Sequence, residues 1–150
     1  MKQIKVFILL FFCISNSYSF SQEGITNSDI ISMKTAKISE DVIVSKIITT
    51  KCSFDLTVQG ITGLVTAKIS TKIIKLMFTR TTLVDNLTND DVINLVVAKI
   101  PTEIIRIKIR STPHSFDTTP DGLIKLKTAK VPKDIVSDMM INPVQKPKTK

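Results

Sequence analysis

Apolar positions recur along this chain in one repeated arrangement. Ile30, Met33 and Ala36 stand three apart, which places them on one face of a helix; Val42, Ile43 and Ile47 follow on a second short apolar face. Between the two faces lies "TAKIS", and the same junction returns as "TAKIS" at Thr66, "VAKIP" at Val97 and "TAKVP" at Thr128. At an offset of 31, Thr26, Thr57, Thr88 and Thr119 coincide, as do Ala36, Ala67, Ala98 and Ala129. At twice that offset, Ile25–Phe78 aligns with Leu87–Met140 without a gap and is identical at 22 of 54 positions, so the chain is internally duplicated. It reads as four units of 31 residues, paired A-B-A-B.

Each unit predicts two helices. Thr26 and Thr88 are N-cap residues whose hydroxyls accept from free backbone N–H groups, and Asp29 and Asp91 stand where an acid reaches back to the cap. Aspartate is shorter than the preferred glutamate, so this box is expected to be imperfect. Pro120 after Thr119 suits the first helical position. The first helix of each unit should stop near Lys37 and its equivalents. Ser39, Ser70, Pro101 and Pro132 open the second helix, with Glu40, Asp41, Glu103 and Asp134 in the first turn, where the helix dipole favours acids. The linkers are "TTKCSFDL", "TTLVDNL" and "STPHSFDT". The run Ile105–Arg110 alternates apolar and basic residues as a strand would. Helix is nevertheless expected, because Ile105 and Ile109 are i, i+4 neighbours and the caps match those of the other units; strand is the alternative.

Two helices of about ten residues cannot bury a face alone, so the units must stack. The fold class expected is all-α, four tandem helix-turn-helix units. Lys46 and Lys108 occupy the slot that Met77 and Met139 fill in the B units, which predicts that A units expose it. On that basis the units pair into two four-helix modules, residues 25–86 and 87–140, joined near Asp85–Leu87. A continuous short α-solenoid is the alternative.

The ends of the chain differ from the repeats. A basic start, the apolar run Val6–Ile14 and small residues up to Ser21 have the order of a secretory signal peptide, residues 1–21, cleaved after Ser19 or Ser21. The run is too short to span a membrane as a helix, and no later stretch is long and apolar enough to do so. The protein is therefore expected to be secreted or periplasmic; a retained anchor is the alternative. The net charge of +8 falls to +6 without Lys2 and Lys5, and a basic, flexible tail (141–150) holds three more lysines. So mild an excess on the folded part suggests a solvated surface, and no nucleic-acid partner is expected. Cys52 is the one cysteine after the leader. It can form no disulfide within the chain but could join two copies in a dimer.

Cys52 and His114 fall at equivalent positions of the two halves. A Cys–His dyad would need them within hydrogen-bond reach, and duplication would hold them apart; variable linker residues are the plainer account. One histidine and one such cysteine do not make a zinc site, and no metal or cofactor is expected. Asp55 and Asp117, after Phe54 and Phe116, should shape linker turns while the rings fill the core. The candidate binding residues are Lys37, Lys68, Lys99 and Lys130. Four equivalent turns could set four ammonium groups along one edge, able to meet an anionic polymer or surface. Cations favoured at helix C-termini are the simpler reading.

At "LTNDDVINLVVAKIPTEII" and "SFDTTPDGLIKLKTAKVPKDIVSDMM" the chain resembles a class of uncharacterised secreted bacterial proteins built of tandem helical hairpins. Their pattern is Leu-Thr-Asn-x-Asp-Val-Ile, then Ala-Gly-(Leu/Val)-(Ser/Pro), then a Phe-Asp-Thr-Ser linker. The resemblance covers nearly all of Ile25–Met140 and implies an exported α-helical repeat with no known activity. The four lysines stand where that pattern has glycine. Glycine suits a left-handed turn, and lysine there costs on the order of 1 kcal/mol. Either the turn is built differently here or stability is lower. The function expected is that of a non-catalytic interaction or envelope-associated module; electrostatic binding through the repeated lysines is the alternative.

Overall fold

A computed structural model describes residues 24–141. The stretch read as a signal peptide, and residues 142–150, lie outside the described residues. Eight helices follow one another: α1 (Asn27–Thr35), α2 (Glu40–Thr49), α3 (Val58–Thr66), α4 (Thr71–Thr79), α5 (Asn89–Val97), α6 (Thr102–Ser111), α7 (Pro120–Thr128) and α8 (Lys133–Ile141). The alternating stretch is helical, within α6. Each unit of 31 residues is thus a helical hairpin, and the fold class is all-α, as the periodicity requires.

Local chemistry sets the starts. Thr26 N–H donates to Asp29 Oδ2 at 2.8 Å, and Asp29 N–H donates to Thr26 Oγ1 at 3.4 Å. Thr88 and Asp91 repeat this at 2.9 and 3.4 Å, so aspartate closes both boxes despite its length. In α3 and α7 the third helical position is Gly60 or Gly122, which has no carboxylate. There Asp55 and Asp117 in the preceding linkers take over, accepting from Thr57 N–H at 2.9 Å and Thr119 N–H at 3.0 Å. The second helices are less uniform. Ser70 caps α4 by accepting from Ile73 N–H at 3.4 Å, whereas Ser39 makes no side-chain cap bond to α2.

The stops are identical in all four units. Lys37, Lys68, Lys99 and Lys130 have φ of 59°, 57°, 56° and 58°, the left-handed region. In the first unit Ile38 N–H donates to Met33 O at 3.0 Å, and Lys37 N–H donates to Lys34 O at 3.0 Å. The same two bonds close the other three turns, which satisfies carbonyls left free at a helix end. The turn is therefore the one glycine would make, built with lysine, and the cost falls on stability.

The hairpins stack in two rows. α1, α3, α5 and α7 pack in sequence, and α2, α4, α6 and α8 form the second row. Both rows run on through Asp85–Leu87, where α3 packs on α5 and α4 on α6. Of the two arrangements the sequence allowed, this is the continuous solenoid. Ile43, Ile74 and Ile105 are buried at one slot of successive second helices, where Val136 is half-buried, and Ile30, Ile61 and Val92 at one slot of the first. Ion pairs tie neighbouring second helices together: Lys72 with Glu40 and Asp41 (3.8 and 3.7 Å), Lys75 with Glu103 (2.8 Å), and Asp138 with Arg106 and Arg110 (2.6 and 2.9 Å). The exposed pairs of Lys72 and Lys75 contribute little energy, about 0–1 kcal/mol each, but favour one register between units, whereas Asp138 is buried against its two arginines. Glu40 and Asp41 thus serve the next unit, and Glu103 the preceding one, as well as their own helix dipole.

The expectation that A units expose the Lys46/Lys108 slot holds for Lys46 and fails for Lys108. The Lys108 side chain is 1% exposed, and its ammonium donates to Asp85 Oδ2 at 2.6 Å. Asp85 reaches it from the linker between α4 and α5. That carboxylate makes burial of the lysine tolerable, and the slot no longer forces a break between modules.

Three carboxyls are held below the ordinary aspartate range. A hydrogen bond from Arg106, aided by Arg110, does this to Asp138; the Thr26 backbone N–H does it to Asp29; and the Thr119 hydroxyl does it to Asp117. A depressed folded value contributes stability above the unfolded value and loses it as pH falls through the folded one. Melting temperature should therefore hold steady from neutrality to about pH 5 and fall below about pH 4. In Asp138→Asn the acid slope should be shallower, which thermal unfolding across a pH series would read.

Candidate functional site

The lysine turns come first, because the sequence singled them out. Each follows an odd-numbered helix, so the stack repeats them at one edge, a helix spacing of about 8–10 Å apart. All four side chains are exposed, and among the described residues none of them takes part in an ion pair. The apolar residue after three of the four lysines anchors its turn: Ile69, Ile100 and Val131 are buried, while Ile38 in the first unit is exposed. The backbone at this edge is thus fixed while the ammonium groups stay free to meet a partner. Chemically it is a row of point charges, suited to successive anionic groups and not to bidentate recognition.

A second concavity was not evident from sequence. A cleft of about 400 Å³ lies where the start of α3, the α4–α5 linker and α6 meet. Thr57, Val58, Gln59, Asp85, Asn86, Leu87, Asp91 and Lys108 line it. Its charged feature is the Lys108–Asp85 pair, with Asp85 partly open to solvent. The only sequence signal was a lysine where the B units have methionine, and that signal did not reveal which acid would arrive. Asp85→Ala should cost about 2 kcal/mol, because it strands a buried ammonium; solvent at the cleft mouth keeps the loss below that of a sealed pair. Lys108→Met should be neutral or stabilising by about 1 kcal/mol, and Lys108→Met combined with Asp85→Ala should recover most of the loss. Urea unfolding of the three variants would measure this.

Cys52 and His114 lie in equivalent surroundings and are not brought together. Cys52 forms a parallel bridge with Ile25, and His114 forms one with Leu87. Ile25 N–H donates to Lys51 O at 2.8 Å and Ser53 N–H to Ile25 O at 2.9 Å; Leu87, Pro113 and Ser115 repeat the pattern at 2.8 and 2.9 Å. These bridges, which the sequence reading missed, clip the end of each A unit to its own beginning. The two residues are two units apart along the stack, about 20 Å at the usual helix spacing. Each also has a structural occupation. The Cys52 thiol lies 3.4 Å from the carbonyls of Ile47 and Thr50. His114 is buried, stacks on Phe116 with ring centroids 4.5 Å apart, and has Nδ1 3.1 Å from Thr112 O. Phe54 is buried in the core, as expected, while Phe116 is half-buried beneath the imidazole.

The acids do not converge on a site either. Asp55 and Asp117 accept at the helix starts while their backbones are held by Asn27 and Asn89. Among the described residues, no group of three His, Cys, Asp or Glu side chains is placed to hold a metal ion, and no helix is long and apolar enough to cross a membrane. Comparison with known family patterns, curated proteins and solved structures finds no match to this chain.

Proposed function

We propose that this chain is an exported, non-catalytic helical-repeat protein that binds a protein or envelope component. Support comes from the leader-like start of the sequence, the resemblance to secreted tandem-hairpin proteins, and a stacked fold of the kind that presents extended surfaces to partners. Capture of the mature chain's partners from envelope and culture-medium extracts tests this reading. Recovery of no specific partner from either would count against it.

One observation favours a narrower version, binding of an anionic polymer or surface through Lys37, Lys68, Lys99 and Lys130. All four lysines hold a backbone conformation that favours glycine, and helix termination does not need their charge there. A row of ammonium groups is what the strained turns yield in return. Affinity for the captured partner should then fall steeply with salt, and the fourfold Lys→Gly variant should lose binding while remaining folded. Binding that is insensitive to salt and to that variant removes the lysine reading and leaves the general one. Dimerisation through Cys52 is a separate proposal, read by non-reducing electrophoresis.

A further inference from the structure

The two ends of the stack expose apolar residues that every internal unit buries. Val42 is 56% exposed, whereas Ile73, Ile104 and Ile135 at its slot are 1%, 1% and 0% exposed. Ile38 is 40% exposed, against 5%, 5% and 7% for Ile69, Ile100 and Val131. These slots are open only in the first of the described units. At the other end Met140 is 58% exposed, whereas Ile47, Phe78 and Ile109 are 0%, 6% and 0% exposed. Ile124 is 61% exposed where its equivalents Ile31, Thr62 and Ile93 are half-buried. These slots are open only in the last of the described units.

Solenoids ordinarily close their ends with polar faces, because an open end shows the surface that joins one unit to the next. Here the open α1–α2 end has the apolar slots that a preceding unit would cover, and the open α7–α8 end has those that a following unit would cover. The joint between the second and third units is the template, a B unit followed by an A unit. The fourth unit of one molecule and the first of another would meet in that same order. Charge agrees with this. In the α2–α4 joint, an A unit followed by a B unit, Glu40 faces Lys72. At the corresponding slots of the joint between molecules stand Lys133 and Asp41, opposite in sign again, with the signs exchanged.

We propose that a second copy of this chain seats its α1–α2 end on the α7–α8 end of the first, so that the stack continues head to tail between molecules. Such contacts are heterologous and do not close in pairs, so open chains form whose length grows with concentration. The contact uses the ends of the stack and does not depend on the partner or the lysine edge proposed above.

Sedimentation velocity of the protein purified from expression of its full sequence tests this, in reductant so that Cys52 cross-links do not contribute. The average mass should rise with concentration from micromolar to millimolar. Val42→Lys blocks one end and Met140→Lys the other, and each alone should remain a monomer with its helical circular dichroism intact. Mixed together, the two should form dimers and nothing larger, because each retains the end that the other lacks. That complementation also shows that both variants are folded. Ile38→Lys and Ile124→Lys form a second such pair. A wild type that is monomeric throughout overturns the proposal, as would association by either single variant or a mixture that stays monomeric.

Discussion

Replacing Lys37, Lys68, Lys99 and Lys130 together by glycine should raise the unfolding free energy by about 3 kcal/mol. Each lysine holds φ near the left-handed well, where a Cβ is crowded against the following carbonyl oxygen. Relief of that crowding is worth about 1–2 kcal/mol per site, offset in part by the greater freedom of glycine in the unfolded chain. Loss of a cation at a helix C-terminus removes a few tenths more. The net gain is about 0.7 kcal/mol at each turn. The turns are a unit apart and share no partners, so their effects should nearly add. Melting temperature should rise by about 10 °C, which differential scanning calorimetry would measure. The fourfold Lys→Ala variant separates strain from charge: it removes the ammonium groups but keeps a Cβ, and should melt close to the wild type. If glycine brings no gain, the strain argument fails, and with it the reason for regarding these lysines as retained at a cost.

The largest loss is expected at Gly60, for a reason outside its own helix. A Cβ built there would meet the Asp55 carbonyl oxygen well inside van der Waals contact and Asp55 Cγ at 2.7 Å. Gly122 meets Asp117 in the same way, with Cγ at 2.6 Å. Neither linker can retreat cheaply. Asn27 Nδ2 donates to Asp55 O at 2.7 Å and Asn89 Nδ2 donates to Asp117 O at 2.9 Å, while the two aspartates also hold the N-caps. Gly60→Ala should therefore cost about 3 kcal/mol, from overpacking together with a weakened cap. Gly63 provides a control in the same helix. A Cβ there meets nothing within 4 Å, so Gly63→Ala should stabilise by about 0.5–1 kcal/mol. Chemical denaturation of both variants reads the contrast. Equal effects at the two positions would show that the linker is not fixed as described.

Both results bear on what was legible beforehand. The repeat could be read from self-similarity at 31 and 62 residues, and the threonine starts and lysine stops from residues within four or five positions of one another; the structure reproduces them. The left-handed turn itself remained open, because sequence could not say whether lysine would accept a conformation that glycine prefers. The candidate lysine edge was legible because repetition places equivalent turns on one side of any regular stack. The central cleft was not, since Asp85, Lys108 and the start of α3 come from three separate elements of two units.

By itself the sequence determined that this chain is four helical hairpins and where each helix begins and ends. Those choices depend on hydrogen bonds closed within a turn, such as Thr26 with Asp29 and Ile38 with Met33. Tertiary structure alone decided that the hairpins form one uninterrupted stack, that Lys108 is buried while Lys46 is exposed, and that Cys52 and His114 each sit in a backbone bridge to the start of their own unit. The physical reason is distance along the chain. Whether a lysine is buried depends on a carboxylate 23 residues away arriving to pair with it, and no local pattern around Lys108 announces that Asp85 will do so.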